Sequence, residues 1–181
     1  MTKIFLVRHG QASASFSEEP DPGLSQKGIN QARSLDGFFK RQLPFQIYSS
    51  PLKRAFDTAT QALGDNRNIL IEKKISEIPS DDQSMEDRGK WLGEVLSRNW
   101  DEQPDKLKNW RENVISFINS LNEDTVIFTH FMVINTIVGF INNSTSLVSC
   151  RPDNCSITVL EKTGGILQLI SRPEEAETKI N

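Results

Sequence analysis

The stretch IFLVRHGQAS, residues 4–13, decides how the fold of this chain begins. Its first four residues form a short apolar run, which predicts a strand buried on both faces. Arg8 and His9 follow this run directly, and Gly10 comes next. Because an unpaired buried charge is costly, a guanidinium at a buried strand end indicates an anionic partner. Gly10 would let the backbone come close to that anion, because glycine has no Cβ atom.

The rest of the chain alternates strand and helix patterns. Short apolar runs predict strands at residues 45–48, 69–71 and 125–129, and a hairpin at residues 156–161 and 166–171 around Thr163-Gly164-Gly165. Helical patterns lie at residues 26–42, 51–63, 84–98, 104–121 and 131–141. This alternation predicts an α/β fold, a three-layer sandwich with a mostly parallel sheet and helices on both faces. We expect residues 1–181 to form one domain, with a helical insertion at about residues 80–105 over one end of the sheet.

Composition narrows the classes of function. The chain has 21 Lys and Arg against 24 Asp and Glu, a formal charge of −3, which argues against a general nucleic-acid binder. Its two cysteines, Cys150 and Cys155, lack the spacing of a zinc site or of a disulfide framework, so we expect no bound metal. No apolar run approaches a membrane span and the N-terminal run is too short for a signal peptide, so we expect a cytoplasmic protein without a membrane partner.

Polar side chains gather where the predicted strands end. Both histidines of the chain, His9 and His130, directly follow a predicted strand. Arg54 lies one helical turn beyond the second strand, and Glu77 comes shortly after the third. In open α/β sheets, ligands bind beyond the carboxyl ends of the strands. We therefore expect these side chains, with Arg8, to converge on one ligand.

This set of side chains suits phosphoryl chemistry. Guanidinium groups match phosphate oxygens bidentately, and helix N-termini add backbone N–H donors for the same anion. A neutral histidine nitrogen can attack phosphorus, and neighbouring arginines disfavour the imidazolium form. A glutamate can protonate the leaving oxygen of a phosphate ester. Because the sequence has no cluster of metal ligands, the arginines would supply the charge that a metal supplies in other enzymes.

Five segments resemble, in family order, the motifs of the histidine phosphatase superfamily. This superfamily includes cofactor-dependent phosphoglycerate mutases and many small phosphatases. The Arg-His-Gly triplet stands in LVRHGQAS, residues 6–13. The other four segments are DPGLSQKGINQA (21–32), YSSPLKRAFDTA (48–59), ISEIPSD (76–82) and VIFTHFMVI (126–134). Together these matches span most of the chain and imply the family's α/β sandwich.

The resemblance also implies roles for the matched positions. His9 would be phosphorylated during turnover, and Glu77 would be the proton donor and later the base that activates water. The transferring phosphoryl group would be bound by the polar side chains of the same motifs, namely Arg8, Arg54, His130, Gln11 and Ser15. Ser15 falls where many members have a phosphate-contacting asparagine, and Gln11 occupies the position after the glycine.

Two departures from the family pattern affect these assignments. Phe131 stands where many members have a glycine after the second histidine, so its ring would crowd or line the pocket. Pro79 lies two residues after Glu77 and indicates a local path unlike that of the mutases. The nearby carboxylates that compete with Glu77 for the donor role are Asp81, Asp82 and Glu86.

We therefore expect a phosphomonoester hydrolase that acts on a small phosphorylated substrate through a phosphohistidine, without a cofactor. Two alternatives within the family are phosphotransfer of the phosphoglycerate mutase type and hydrolysis of phosphohistidine on proteins. Many members of the latter type lack the proton donor, because a phosphoramidate nitrogen leaves more readily. A phosphate-binding module without turnover is a third alternative. The sequence leaves the physiological substrate and the oligomeric state open.

Overall fold

A six-stranded mixed sheet forms the centre of the computed structural model, which describes residues 1–15, 17–39, 46–64, 67–80 and 82–176. Its strands are β1 (Thr2–Arg8), β2 (Gln46–Ser49), β3 (Leu70–Ile71), β4 (Thr125–Thr129), β5 (Ile157–Thr163) and β6 (Ile166–Ser171). They lie in the order β3-β2-β4-β1-β5-β6. The first four strands are parallel, β5 is antiparallel to β1, and β6 is antiparallel to β5. The mostly parallel sheet predicted from the sequence is confirmed.

Helices cover both faces of the sheet. They are α1 (Gln26–Ser34), α2 (Asp36–Phe39), α3 (Lys53–Leu63), α4 (Arg88–Leu96), α5 (Asp105–Ser120) and α6 (Phe131–Ile141). One core cluster joins Phe5, Val7 and Phe128 of the sheet to the first three helices. A second cluster joins Ile4, Leu6 and the opposite face of β4 to α5 and α6. Because successive side chains of a buried strand alternate between faces, β1 serves both clusters and holds three layers together.

Two predicted helices differ in extent from those observed. The helix predicted at residues 26–42 ends at Ser34, and α2 follows as a separate turn; residues 40–42 lie outside the described residues. The helix predicted from residue 84 begins only at Arg88. There the Ser84 hydroxyl donates to the Asp87 carboxylate at 2.6 Å and accepts from the Asp87 N–H, which closes a turn before the helix. The capping residues thus stabilise a turn and not the first helical residues.

The hairpin turn agrees with its prediction. Gly164 and Gly165 connect β5 to β6 with φ values of 59° and 82°, in the left-handed region. Two consecutive residues with positive φ define a turn whose twist matches that of the paired strands, and glycine adopts this conformation without steric cost.

A third apolar cluster lies beside the end of β4 and contributes to the site. It contains Ile78, Val95, Trp100 and Leu147, together with Phe131 and Met132 at the start of α6. Trp91 and Leu92 of α4 pack against its edge. These contacts hold α4 next to the carboxyl ends of the parallel strands. No helix of the described part of the chain is long and apolar enough to cross a membrane.

Candidate active site

The parallel pairing of β1 with β4 brings the two histidines together. Arg8 lies opposite Thr129 in the register, and the His9 N–H donates to the Thr129 carbonyl at 2.9 Å. Each strand then ends, so that His9 and His130 leave the sheet side by side with their ring centroids 5.3 Å apart. Residues that are 121 positions apart in sequence therefore become neighbours because two adjacent strands end at the same edge of the sheet.

Hydrogen bonds define the protonation state of His9. Its Nδ1 lies 2.7 Å from the Gly10 carbonyl oxygen, which only accepts hydrogen bonds, so Nδ1 carries the proton. Nε2 accepts a hydrogen bond from Arg54 Nε at 3.2 Å. Burial and the positive charges of Arg54 and Arg8 lower the pKa of His9 well below its ordinary value. His9 is therefore a neutral imidazole whose Nε2 lone pair is available to an electrophile.

Two guanidinium groups flank this imidazole. Arg8 Nη1 donates to the Pro152 carbonyl at 2.8 Å, and its Cζ lies 5.4 Å from the centre of the Phe131 ring. Phe131 thus contacts the Arg8 guanidinium through a cation–π interaction. Its ring, at the position where many family members have glycine, forms one wall of the site. Arg54 follows the first residue of α3, is 7% exposed, and has Nη1 3.9 Å from the Asp21 carboxylate.

A hydrogen bond from a serine orients the His130 ring. Its Nε2 lies 2.7 Å from the hydroxyl oxygen of Ser50, and that oxygen also accepts from the Leu52 N–H. The Ser50 hydroxyl still has its own proton to donate. When it donates this proton to Nε2, His130 carries its ring proton on Nδ1. Nδ1 is buried without a hydrogen-bond partner among the described residues. Burial, with the neighbouring Arg54 charge, lowers the pKa of His130 well below its ordinary value.

Glu77 lies near the two histidines, and its two carboxylate oxygens differ in their hydrogen bonding. Its Oε1 accepts from the Ile78 and Met132 N–H groups at 3.0 and 3.1 Å, while Oε2 is 3.5 Å from the Met132 nitrogen. Burial raises the pKa of the Glu77 carboxyl, and this effect exceeds the lowering by the two N–H donors and Arg54. A protonated Glu77 would therefore carry its proton on Oε2.

The competing carboxylates lie elsewhere. Asp82 is exposed and pairs with Lys106 at 3.3 Å, and Glu86 is exposed as well. Neither lines the cleft that contains Arg8 and His9. Asp81 lies outside the described residues. Of the described carboxylates weighed from the sequence, Glu77 is the one placed beside the histidines.

A close backbone contact holds the loop after β1. The Gly10 N–H donates to Thr58 Oγ1 at 2.9 Å, which ties this loop to α3. A Cβ atom on Gly28 would lie only 2.1 Å from the Gln11 carbonyl oxygen, and one on Gly10 would lie 2.6 Å from the Gly28 carbonyl oxygen. Glycine is thus required at both positions for α1 to pack against the loop that presents His9.

The cleft above the histidines has two lobes that meet at Arg8, His9 and Phe131. The apolar lobe, of about 690 Å³, is lined by the catalytic candidates Arg54 and Glu77 and by the apolar side chains Ile78, Leu92, Leu96 and Met132. The polar lobe, of about 950 Å³, is lined by Gln11, Ser15, Arg151, Asp153 and Asn154. Both volumes include space that is open to solvent.

The structure separates the predicted site residues into two groups. Arg8, His9, Arg54 and Glu77 line the apolar lobe, and His130 lies beneath them. Gln11 and Ser15 line the polar lobe instead, where the Gln11 side chain accepts from the Ser25 hydroxyl at 2.9 Å. No group of three or more His, Cys, Asp or Glu side chains is placed to hold a metal ion within the described ranges.

Three residues that support the site, Ser50, Thr58 and Pro152, had no assigned role in the sequence analysis. Ser50 holds His130, Thr58 holds Gly10, and the Pro152 carbonyl orients Arg8. The Asn154 side chain donates to the His9 carbonyl at 2.9 Å. Ser50 and Thr58 do stand inside the segment that resembles a family motif, but the direction of their side chains depends on the packing of α3 against the sheet.

Comparison with known proteins places this chain in a family. A family model described as the histidine phosphatase superfamily (branch 1) matches residues 4–172. The chain therefore belongs to the histidine phosphatase superfamily, and the resemblance found in the sequence motifs is confirmed.

Two curated relatives carry different names. The chain is 32% identical over 117 residues to phosphoserine phosphatase 1 of Hydrogenobacter thermophilus, which covers 62% of this chain and 52% of that enzyme. The chain thus spans about half the length of this relative. A 2,3-bisphosphoglycerate-dependent phosphoglycerate mutase of Thermoplasma acidophilum is 34% identical over 85 residues, covering 43% of this chain and 42% of the mutase.

A solved structure shares the fold. The crystal structure of phosphoserine phosphatase from Entamoeba histolytica in complex with 3-phosphoglyceric acid matches with a TM-score of 0.75 over 98% of each chain. The sequence identity is 22%, so this match supports the fold alone.

Proposed function

We propose that this protein hydrolyses phosphomonoesters through a covalent phosphohistidine on His9. The observation that carries the proposal is the His9 tautomer, because Nδ1–H donates to the Gly10 carbonyl and leaves Nε2 as an unprotonated nitrogen between two guanidinium groups. A nitrogen nucleophile next to fixed positive charge is what an attack on an anionic phosphate ester requires. Membership of the superfamily and the name of the first relative also support hydrolysis.

In the first step, the Nε2–phosphorus bond forms and the bond from phosphorus to the ester oxygen breaks. Arg54 turns its N–H from Nε2 to a phosphoryl oxygen, which frees the lone pair for attack. Arg8 and His130 Nδ1–H bind the other phosphoryl oxygens, and Gln11 and Ser15 approach them from the polar lobe. Glu77 gives its proton to the leaving oxygen, so the alcohol departs neutral.

In the second step, water attacks the phosphohistidine. The Glu77 carboxylate left by the first step accepts a proton from the water as the new oxygen–phosphorus bond forms. The Nε2–phosphorus bond breaks, phosphate leaves, and His9 and Glu77 return to their initial protonation states. The two guanidinium groups stabilise the charge on the phosphoryl oxygens in both steps, so positioning and electrostatics supply most of the catalysis.

Phosphotransfer of the mutase type is the second candidate, because some relatives carry that name. Such a reaction returns the phosphoryl group from His9 to the substrate and depends on a bisphosphorylated primer. Conversion of 3-phosphoglycerate that requires such a primer would support the mutase. Hydrolysis of phosphohistidine on proteins remains a further candidate, although Glu77 is dispensable for that leaving group.

Trapping the covalent intermediate tests the proposal. The protein is mixed with a ³²P-labelled phosphomonoester in the presence of a chelator and quenched in alkali, which preserves phosphohistidine. We expect label on His9, turnover that persists with the chelator, and a loss of more than about 1000-fold in kcat/KM in His9→Ala. Normal phosphatase activity in His9→Ala would refute the mechanism, whereas binding without label would indicate a phosphate-binding module.

We further propose that the chain acts as one domain on small phosphorylated substrates in the cytoplasm, without a nucleic-acid partner. The segment 80–105 would be an insertion, because its α4 packs against Phe131 and Met132 beside the strand ends. The formal charge of −3 and two buried cysteines outside any disulfide are consistent with this proposal. Co-fractionation of the full-length protein with cytoplasmic markers would test its location.

A further inference from the structure

The two lobes of the cleft have different relations to the reaction. In an in-line displacement, the leaving oxygen lies on the side of phosphorus opposite the attacking nitrogen. Glu77, the proposed donor to that oxygen, lines the apolar lobe and does not line the polar lobe. If the proposed function holds, the alcohol part of the substrate therefore occupies the apolar lobe. The chemistry of this lobe then determines which alcohol fits.

Aliphatic and aromatic side chains dominate the walls of the apolar lobe. Leu92 and Leu96 lie one turn apart on α4, on the same face of that helix, and both line the lobe. Ile78, Phe131 and Met132 form the wall beneath them. Contact with these side chains removes apolar surface of a ligand from water, which favours an apolar alcohol.

The charges of the apolar lobe are unsuited to a second anion. Of the described residues that line it, the cations are Arg8 and Arg54, and both flank His9 where the phosphoryl group binds. Glu19 adds a carboxylate to the rim of the lobe. A carboxylate on the alcohol would lose hydration there without a cation of its own and would meet Glu19. Arg151, which could pair with a carboxylate, lies in the polar lobe.

We propose that this protein is selective for phosphomonoesters of uncharged, apolar alcohols and discriminates against esters whose alcohol carries a carboxylate. This inference rests on the proposed function, because it uses Glu77 as the donor to the leaving oxygen. It also distinguishes the chain from relatives whose names refer to phosphoserine and phosphoglycerate, which are both carboxylates.

A matched pair of substrates tests the selectivity. Butyl phosphate and 4-phosphonooxybutanoate share a four-carbon chain and a primary leaving oxygen, and differ in the terminal carboxylate. We expect kcat/KM to favour butyl phosphate by at least about tenfold. Equal rates, or a preference for the carboxylate, would overturn the selectivity while leaving the phosphohistidine mechanism intact. If neither ester labels His9, the proposed function fails as well.

Variants of α4 test whether the apolar lobe binds the alcohol part of the substrate. Leu96→Lys places a cation in the apolar lobe, and we expect it to shift the kcat/KM ratio toward the carboxylate ester by at least about tenfold. Gly93→Lys is the matched control, because Gly93 is exposed on the same helix and a Cβ there meets none of the described residues outside that helix within 4 Å. Its ratio should remain unchanged.

A second variant of the apolar lobe keeps the test valid if Leu96→Lys does not fold. Leu92→Lys makes the same change one turn earlier, and circular dichroism shows which of the two variants is folded. An unchanged ratio in a folded lobe variant would overturn the inference, as would an equal shift in Gly93→Lys, because a general charge effect would then explain the result.

Discussion

At the scale of single residues, the site depends on how each polar atom is paired. His9 is held by the Gly10 carbonyl and His130 by the Ser50 hydroxyl, so both rings are fixed in one orientation. Burial lowers the pKa of both imidazoles well below the ordinary value and raises the pKa of the Glu77 carboxyl. The site thus has a neutral nucleophile and a carboxyl that holds its proton to a higher pH than usual, and its positive charge comes from Arg8 and Arg54.

Ser50 acts as a positioning residue for His130. In Ser50→Ala we expect kcat/KM to fall about tenfold and inhibition by inorganic phosphate to weaken in parallel, because the His130 ring loses the hydrogen bond that orients it. Ser50→Thr retains the hydroxyl and should recover most of the loss. Ser49→Ala is the control, because the Ser49 hydroxyl donates to the Ser50 carbonyl rather than to the His130 ring. A similar change in phosphate inhibition in this control would contradict the assignment.

The pH profile should report the protonation states of His9 and Glu77. Turnover requires neutral His9. Because the pKa of His9 lies well below 6.5, the ordinary value for histidine, activity should persist when the pH falls below 6.5. Turnover also requires protonated Glu77, so kcat should fall as the pH rises through the raised pKa of that carboxyl.

Glu77→Gln tests which group causes the alkaline fall. We expect it to lose about 10²- to 10⁴-fold in kcat with butyl phosphate and to lack the alkaline fall. The loss should be smaller with 4-nitrophenyl phosphate, whose leaving oxygen needs less protonation. Glu86→Gln removes an exposed carboxylate that does not line the cleft, and its profile should match that of the unmodified protein. An alkaline fall that persists in Glu77→Gln would assign the donor role to another group.

At the scale of elements, the loop after β1 and helix α1 are held by a contact between backbones. Gly28 lies on the face of α1 that meets the Gln11 carbonyl, and the Gly10 and Gly28 backbones are in contact as well. Ser25 caps α1 by accepting from the Gly28 N–H at 3.0 Å and also donates to the Gln11 side chain. The start of α1 therefore fixes the path of the chain that carries His9.

Gly28→Ala should disturb the site through this contact. We expect the free energy of unfolding to fall by about 1–3 kcal/mol, because the new methyl group overlaps the Gln11 carbonyl and either α1 or the loop must move. Activity should fall as well, because Gln11 is two residues from His9. Gly37→Ala in α2 is the control. A Cβ built there meets no described residue beyond its own helix within 4 Å, so stability should change by at most about 1 kcal/mol, in the favourable direction. Urea denaturation and kcat/KM measure both effects, and equal stability of the two variants would exclude the overlap.

At the scale of the whole molecule, the burial of His9, His130 and Glu77 makes the stability of the fold depend on pH. The pKa values of His9 and His130 are lowered, so below pH 6.5 the unfolded chain binds protons that the folded chain excludes. Stability must then decrease as the pH falls. Glu77 has the opposite effect, because its raised pKa stabilises the fold at low pH and this contribution is lost as the pH rises above 4.5.

The pH dependence of unfolding checks this balance. Between about pH 6.5 and 5.5, each histidine should lower the free energy of unfolding by up to about 1.4 kcal/mol per pH unit. His130→Gln should reduce that slope by one histidine's share, because glutamine retains hydrogen-bonding capacity without titrating. Urea denaturation at several pH values measures the slope, and an unchanged slope in His130→Gln would show that His130 is not the source.

The sequence by itself determined the order of elements and the family. The apolar run at residues 4–7, the helix at residues 131–141 and the glycine turn at 164–165 are local patterns, and local patterns of apolar and turn residues set strands, helices and hairpins. The rule that ligands bind at strand ends then predicted that His9 and His130 would meet.

Tertiary structure alone decided the protonation of the site and the shape of the cleft. The tautomer of His9, the support of His130 by Ser50 and the raised pKa of Glu77 depend on distances between residues far apart in the chain. The sequence predicted a helix over one end of the sheet, but the packing of α4 beside the end of β4 decided which of its side chains line the apolar lobe. Residue types and their spacing report what chemistry a chain can perform, whereas burial and pairing, which set pKa values and selectivity, exist only after the layers have packed.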